Sequence, residues 1–163
     1  MTDYLLFRLY APMAAWGDIA VGEYRPSYAH PSKSAILGLI AAALGIRRDE
    51  DKQHQALAQD YGFAVRVDAA GHLLRDFHTY SKPKGKENYY TRRDELNATD
   101  LETKLSTRDY QSDALYTICL WQHNQKALFS LQELTKALHC PKFTLYLGRK
   151  SCPLALPVQA QIC

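Results

Sequence analysis

The chain has 163 residues, of which 47% are hydrophobic and 23% charged, and its formal net charge at pH 7 is +3. This length suits a single domain with its own core, and the composition excludes wholesale disorder. No run of about 20 apolar residues is present to span a bilayer. Met1 is followed by Thr2 and Asp3 rather than by a basic and then an apolar segment. We therefore expect a cytoplasmic protein with no membrane association.

The four cysteines argue against a metal centre. They are Cys119, Cys140, Cys152 and Cys163, and no two of them form a CxxC pair. Zinc sites usually contain at least one such close pair. We interpret the cysteines as ordinary thiols in a reducing compartment and expect neither a metal nor another cofactor.

The first elements are the most clearly marked. Residues 4–10 read YLLFRLY, which predicts a largely buried strand. The segment PSKSAILGLIAAALG has helical apolar spacing, with Ser32 as N-cap and Gly45 placed to end the helix in the left-handed conformation. A short polar helix over residues 51–59 is expected to follow.

A hairpin and a long excursion come next. The segments FAVRVD at 63–68 and HLLRDFHTY at 72–80 flank Ala70-Gly71, which predicts a β-hairpin. Residues 81–111 show no regular apolar periodicity. A loop of that length is uncommon in a compact domain and is usually functional or disordered.

The last third of the chain predicts two strands and a helix. ALYTICLW at 114–121 is a buried strand, and Ser130-x-x-Glu133 is a capping box that opens a helix ending near His139. FTLYL at 143–147 is the final strand candidate. The order then matches an α+β, ferredoxin-like or RRM-like βαββαβ sheet with its helices on one face.

One segment holds the whole excess of positive charge. Residues 82–93 carry a net charge of +4, and the rest of the chain carries −1. The cations are interleaved with Tyr89 and Tyr90, which suits phosphates and stacked bases of an RNA strand. The alternative is a solvated charged loop that pairs with the acidic stretch at 94–103. The basic residues of this segment are Lys82, Lys84, Lys86, Arg92 and Arg93.

Two shorter segments also suit an anion. The Gly148-Arg149-Lys150-Ser151 turn offers backbone N–H groups, two cations and a hydroxyl, although it lacks the glycine pattern and following helix of a P-loop. Lys33 and Ser34 lie in the first helical turn, where the helix dipole favours a phosphate, and Arg25 could approach the same end. The alternatives are an exposed basic turn and simple helix capping.

A catalytic constellation is weakly supported. Metal-free RNA cleavage needs a general base near a second proton donor, and His78 with Lys82 is the one pair that we would test. The other histidines are isolated, and no Ser-His-Asp, HExxH or paired-carboxylate pattern stands out. A binding protein is therefore favoured over an enzyme.

Four segments carry a family resemblance that runs almost end to end. They are YLLFRLYAPMAAWGD at 4–18, YRPSYAHPSKSAILGLIAAALGIRRDED at 24–51, FHTY at 77–80 and YLGRKSCPL at 146–154. Together they resemble the CasD family, the crRNA 5′-handle-binding subunits of type I-E CRISPR Cascade in the RAMP superfamily. The resemblance implies one RRM-like domain over residues 1–163 with a protruding thumb hairpin at 81–111. Members of the family ordinarily continue past the last of these segments, so the resemblance implies either that their usual carboxy-terminal segment is missing or that this is the amino-terminal part of a longer or fused polypeptide.

The resemblance further implies a function. The chain would be a non-catalytic subunit that binds and caps the crRNA 5′ handle beside a backbone subunit and the large PAM-reading subunit. The guide reads the target DNA by base pairing, so DNA contact would be indirect. One alternative is a metal-independent endoribonuclease that processes precursor crRNA, as in type I-C systems. Another is a protein-interaction adaptor that makes no contact with RNA.

Individual roles follow from the same resemblance. The basic residues of the thumb would wedge into the RNA and position it. Arg25, Lys33 and Ser34 would hold handle phosphates. The turn at 148–151 would face the same phosphates. Tyr146 and Trp16 either stack on RNA or pack internally. Residues at the base of the thumb would contact a kinked nucleotide. Those base-of-thumb residues are Arg108 and Tyr110. The candidate RNA-binding residues outside the thumb are Arg25, Lys33, Ser34, Tyr146, Arg149, Lys150 and Ser151.

Overall fold

The structure is a computed structural model that describes residues 2–84, 89–123 and 126–163. No helix within these ranges is long and apolar enough to cross a membrane. The helices are α1 (Lys33–Leu44), α2 (Asp51–Asp60), α3 (Arg92–Leu96) and α4 (Leu131–His139). The strands are β1 (Tyr4–Tyr10), β2 (Met13–Ala14), β3 (Trp16–Gly17), β4 (Tyr24–Arg25), β5 (Ser27–Tyr28), β6 (Tyr61–Ala69), β7 (His72–Pro83), β8 (Leu101–Ser112), β9 (Leu115–Gln122) and β10 (Gln161–Ile162).

The central sheet has the strand order β10-β1-β9-β6, and each neighbouring pair is antiparallel. Burial alternates along β1, so that Leu5, Phe7 and Leu9 are buried in the core that also contains α1 and α4. Alternation of this kind places successive side chains on opposite faces of the sheet. The α+β class expected from the sequence is confirmed as a mixed α/β structure with antiparallel sheets.

The two helices that cover this sheet begin at the predicted caps. The Ser32 hydroxyl of α1 accepts a hydrogen bond from the Ala35 amide at 3.2 Å, and Gly45 ends the helix at φ 81°. In α4, Ser130 and Glu133 cap each other's backbone amides as a capping box. Both caps are confirmed, and each is worth about 1 kcal/mol of helix stability.

A second sheet forms at one side of the domain. β8 lies between β2 and β4 and pairs with the whole of β7, from His72 opposite Ser112 to Pro83 opposite Leu101. We call β7, β8 and the described residues between them the arm. The short helix α3 lies at the far end of the arm and is capped by Thr91 and Asp94.

The predicted hairpin around Ala70-Gly71 is wrong. Both strands exist and Gly71 turns the chain at φ 68°, but β6 pairs with β9, whereas β7 pairs with β8. The side chains of β6 that face the helices pack beside β9 in the core, and most side chains of β7 remain exposed. β6 has a face buried in the core and β7 has none comparable, so the two strands belong to different sheets although a tight turn connects them.

The irregular excursion predicted at 81–111 is wrong as well, because β7 runs through Pro83 and β8 begins at Leu101. Both faces of the arm are largely exposed over these residues, so no buried face produced an apolar period. Lys86 lies outside the described residues.

The final strand predicted at 143–147 does not form. Leu145 and Leu147 are buried as the alternation indicated, but this segment makes only an isolated bridge between Tyr146 and Pro153. Its backbone instead binds the end of α1 and the Ala15 amide, which donates to the Leu147 carbonyl at 3.0 Å. The edge strand is β10, which contributes two residues beside β1.

Gly148 provides a test of the turn that follows this segment. Its φ is 85°, and an added Cβ would lie 1.7 Å from the Ala15 carbonyl oxygen. We expect Gly148→Ala to lower the unfolding free energy by about 2 kcal/mol, measured by urea denaturation. Gly38 in α1 has open space around the equivalent position. Gly38→Ala should therefore leave stability unchanged or raise it by up to about 1 kcal/mol, and equal losses in the two variants would contradict this account.

Candidate nucleic-acid interface

Asp109 ties the base of the arm to the body of the domain. Its side chain is 4% exposed and accepts hydrogen bonds from Arg75 Nε at 2.9 Å, from Arg75 Nη2 at 3.1 Å and from the Tyr24 hydroxyl. Arg75 Nη2 also donates to the Tyr24 oxygen at 2.7 Å. The Arg75 guanidinium holds the pKa of Asp109 below its ordinary value, and Asp109 raises the pKa of Tyr24. One carboxylate thus joins β4, β7 and β8.

Arg149 joins the 148–151 turn to the same place. Its Nη1 donates to the Asp109 carbonyl and its Nη2 to the Arg25 carbonyl, each at 3.1 Å. The guanidinium also lies 4.6 Å from the centroid of the Tyr110 ring, which is a cation–π distance. Carbonyl oxygens and an aromatic face position this cation without neutralising its charge.

A groove of about 680 Å³ opens between the start of α1 and the segment at 143–149. Its α1 wall consists of small residues, Ala35, Gly38, Ala41 and Ala42. Arg25, Arg48 and Arg149 line it together with Ser34 and Tyr146, and Asp18 is its acidic residue. Four residues predicted separately from the sequence therefore line one groove: Arg25, Ser34, Tyr146 and Arg149.

Arg108 brings a further cation close to this groove. β4 and β8 are parallel neighbours, with Arg25 in register with Arg108. Arg25 in turn donates from Nη1 to the Gly22 carbonyl at 2.6 Å and remains exposed. The base of the arm therefore gathers Arg25, Arg108 and Arg149, three cations from three different parts of the sequence.

Other predicted residues lie elsewhere. Lys33 Nζ donates to the Ala58 carbonyl at 2.8 Å, so it tethers α1 to α2 rather than pointing into the groove. Lys150 and Ser151 are exposed at the tip of the turn. The Ser34 hydroxyl lies 3.0 Å from that of the N-cap Ser32 and marks where the helix start meets the groove.

Two predicted aromatic contacts are corrected by burial. Tyr110 is 5% exposed beneath Arg149, so its ring supports the arginine and offers no open face to a nucleotide. Trp16 is 2% exposed and packs edge to face on Tyr116, with ring centroids 5.6 Å apart. Of the two interpretations of Trp16, internal packing is confirmed.

Most basic residues of the arm form salt bridges with its carboxylates. Lys82 and Lys104 both bind Glu102, at 2.8 and 3.2 Å, and Lys84 binds Asp100 at 3.0 Å. Arg92 pairs with Glu95, and Arg93 is exposed. The alternative in which the acidic stretch at 94–103 pairs with the basic one is therefore confirmed for these residues. Such exposed pairs contribute little to stability, because solvent screens them, so an RNA phosphate could replace the carboxylate.

His78 and Lys82 do not form an acid–base pair. They lie on one face of β7 but four residues apart, a separation of about 13 Å along the strand. His78 Nε2 contacts Asp76 at 2.8 Å, while Lys82 is held by Glu102. Within the described residues, no cluster of three or more His, Cys, Asp or Glu side chains could hold a metal ion.

The sequence missed several residues that shape this site. Arg48 and His54 both line the groove, and the His54 ring lies 2.9 Å from the Arg47 carbonyl. Arg48 sits in the basic Arg47-Arg48 pair just after α1, which was a local signal for it. Tyr24, Arg75 and Asp109 meet only through strand pairing across long sequence separations, so no local pattern marked them.

Comparison with known proteins identifies the family of this chain. Residues 4–163 match the family described as CRISPR-associated protein (Cas_Cas5). This chain belongs to that family. It is 39% identical over 167 aligned positions to the Escherichia coli (strain K12) protein named CRISPR system Cascade subunit CasD, a match that covers all of this chain and 72% of the relative.

Two solved structures are also similar. A chain of a CRISPR RNA-guided surveillance complex matches with a TM-score of 0.69 and 30% identity over 95% of this Cas_Cas5 chain. A crystal structure of a Cas protein matches with a TM-score of 0.60 and 32% identity over 94%. The present chain spans 61% and 63% of the lengths of those two chains.

Asp109→Asn tests the junction between the arm and the body. Since the carboxylate has a lowered pKa in the folded protein, its ionised form stabilises the fold at neutral pH, and that contribution is lost as the pH falls below about 4. We expect a loss of about 2 kcal/mol at pH 7 in urea denaturation, because Arg75 and Tyr24 lose a buried, charged acceptor. The gap from the wild-type chain should narrow as the pH falls further, through the lowered pKa of Asp109.

Asp100→Asn is the matched control, because Asp100 pairs with Lys84 on the exposed arm. It should leave the unfolding midpoint unchanged. An equal loss in both variants, or a gap for Asp109→Asn that does not depend on pH, would contradict the assigned role of Asp109.

Proposed function

We propose that this chain is a non-catalytic, RNA-holding subunit of a CRISPR RNA-guided surveillance complex and that it binds and caps the 5′ handle of crRNA. The observation that carries the proposal is the convergence of Arg25, Arg108 and Arg149 beside a groove at the start of α1. The names of the similar proteins, a Cascade subunit and a surveillance complex, support the same role.

The groove suits a single RNA strand. Arginines on its rim can bind successive phosphates, and the first turn of α1 adds free N–H groups and the positive end of the helix dipole. Its wall of small residues leaves room for a flat ring, and Tyr146, which is 38% exposed, can stack on a base. The 148–151 turn would then hold Lys150 and Ser151 at the outer end of the bound strand.

We further propose that the central sheet is the ferredoxin-like βαββαβ core, with β1, β6, β9 and β10 as its four strands. The order β10-β1-β9-β6 and the antiparallel pairing support this assignment. The arm would then be the thumb, inserted between the second and third strands of the core. Its exposed salt bridges could open to place Lys82, Lys84, Arg92 and Arg93 against the RNA.

The partners proposed for this subunit are a backbone subunit beside the thumb and the large PAM-reading subunit against the body, with target DNA reached only indirectly. One face of the arm supports a protein contact of this kind. Strand register places Leu73, Phe77, Leu101 and Leu105 on the same face, and each is at least 41% exposed. Apolar side chains in such a row fit a partner surface better than open water.

A charge-reversal experiment tests the groove. We expect Arg25→Glu with Arg48→Glu to weaken binding of a crRNA 5′-handle oligonucleotide by tenfold or more, measured by fluorescence anisotropy. The slope of log K against log salt should also flatten, by about 0.7 for each phosphate that the variant no longer binds. Lys136→Glu is the matched control, because Lys136 is an exposed cation on α4. Equal losses of affinity in the groove and control variants would contradict the groove assignment.

Incubation of the chain with labelled repeat RNA in the absence of metal tests the non-catalytic role. Because His78 and Lys82 are held by two separate carboxylates, Asp76 and Glu102, we expect intact RNA on a denaturing gel. Site-specific cleavage that disappears in His78→Ala would overturn the proposal and favour the endoribonuclease alternative.

A further inference from the structure

The central sheet has a second face, which points away from α1 and α4. Leu5, Phe7 and Leu9 fill the core on one side of β1, so Tyr4, Arg8 and Tyr10 lie on the other. The neighbouring strands add side chains to this outer face through direct register, as with Tyr4 opposite Trp121 and Arg66 opposite Thr117. The groove proposed for the crRNA handle lies on the helix side of the sheet.

Two aromatic rings lie together on the two central strands. The Tyr4 and Trp121 ring centroids are 6.2 Å apart with an interplanar angle of 63°, and Tyr4 is 42% exposed. The His123 ring lies 5.9 Å beyond Trp121. Gly62 on β6 makes the arrangement possible, because a Cβ there would come within 2.1 Å of the indole. The indole therefore lies across the strand next to its own and stays partly exposed.

Cations continue the same face. Arg8 is exposed and opposes Thr117 on β9, and the side chain of Arg66 is 70% exposed. Asp68 accepts Arg66 Nε at 2.7 Å and the Thr117 hydroxyl at 2.5 Å, so it offsets one of the two positive charges. Arg8, Arg66 and Thr117 line a concavity of about 1100 Å³, with Asp113 at one end and Gln159 and Gln161 on its other wall.

We propose that this outer face is a second binding site for single-stranded RNA, separate from the handle groove. Bases would stack on Tyr4 and Trp121, and Arg8 with Arg66 would bind the backbone that leads away from them. Adjacent exposed rings on the two central strands of a four-stranded sheet are the feature with which such sheets bind successive bases.

The position of Arg8 favours RNA over a protein occupant. Arg8 projects from the middle of a central strand, and a protein packed over it would need to supply a matching buried carboxylate. A phosphate meets the same cation without that requirement, and the bases cover the rings on either side. The glutamine amides on the far wall can pair with base edges, whereas a dry protein interface leaves them unsatisfied.

Tryptophan fluorescence tests the site directly, because Trp16 is 2% exposed and Trp121 is the tryptophan on the surface. Titration of the full chain with a short oligouridylate should quench the emission of Trp121 to saturation. Trp121→Phe should remove the signal yet keep most of the affinity by anisotropy. Tyr4→Ala with Trp121→Ala, and separately Arg8→Glu, should weaken binding about tenfold, while Tyr4→Phe and Arg8→Lys retain it.

Thermal unfolding of each variant separates a loss of binding from a loss of folding, and the conservative variants hold the sheet intact. Arg48→Glu in the handle groove should leave the quenching unchanged. The proposal is overturned if oligouridylate fails to quench Trp121, if Arg48→Glu abolishes the quenching, or if the face is instead covered by a protein that competes with oligouridylate. Binding of the handle oligonucleotide to the Tyr4→Ala, Trp121→Ala variant tests the groove independently of the outer face. The two proposed sites can therefore be confirmed or contradicted separately.

Discussion

The carboxylate of Asp109 is the interaction on which the arrangement of the interface depends. A buried charge without partners costs several kcal/mol, so the groups that satisfy it are held in place. Here Tyr24 comes from β4 and Arg75 from β7, while the backbone carbonyl of the same residue accepts Arg149 from the 148–151 turn. The direction of the arm and the position of the groove rim therefore follow from a single residue of β8.

Two kinds of basic surface result, and they differ in how their charge is held. At the groove, Arg25 and Arg149 are positioned by carbonyl oxygens and an aromatic ring, so their positive charge stays available for a phosphate. Along the arm, Lys82 and Lys84 are held by carboxylates, so an RNA strand must first displace these groups. A preorganised cation loses less side-chain entropy on binding. In the proposed function, the groove would therefore be the stronger anchor, and the arm would adjust the position of a strand already bound.

Local chemistry explains which elements could be predicted from the sequence. β1, α1 and α4 are marked by burial alternation or by caps such as Ser32 and Ser130, all of which depend on residues within a few positions of one another. β7 and β8 could not be found in this way, because most of their residues are exposed or half-buried and those that β8 buries are mostly polar, so the arm has no apolar period. The segment at 143–147 shows the converse failure, since its alternating burial is real but its backbone bonds to α1 rather than to a strand.

The same distinction between local and long-range signals applies to the candidate site. Arg25, Ser34, Tyr146 and Arg149 were identified from motifs and line one groove, whereas Tyr24, Arg75 and Asp109 meet only once distant strands pair. The basic residues of 82–93 were identified by their net positive charge, yet neighbouring carboxylates neutralise much of that charge. Net charge over a segment thus indicated a basic surface without showing whether its charge was free.

Ultraviolet cross-linking of crRNA within the assembled complex, followed by mass spectrometry of this chain, tests the central claim most directly. The account predicts that the 5′-handle nucleotides cross-link to peptides containing Arg25, Ser34 and Tyr146, around the groove. Cross-links from the handle confined to α4 or to the far end of the arm would contradict it.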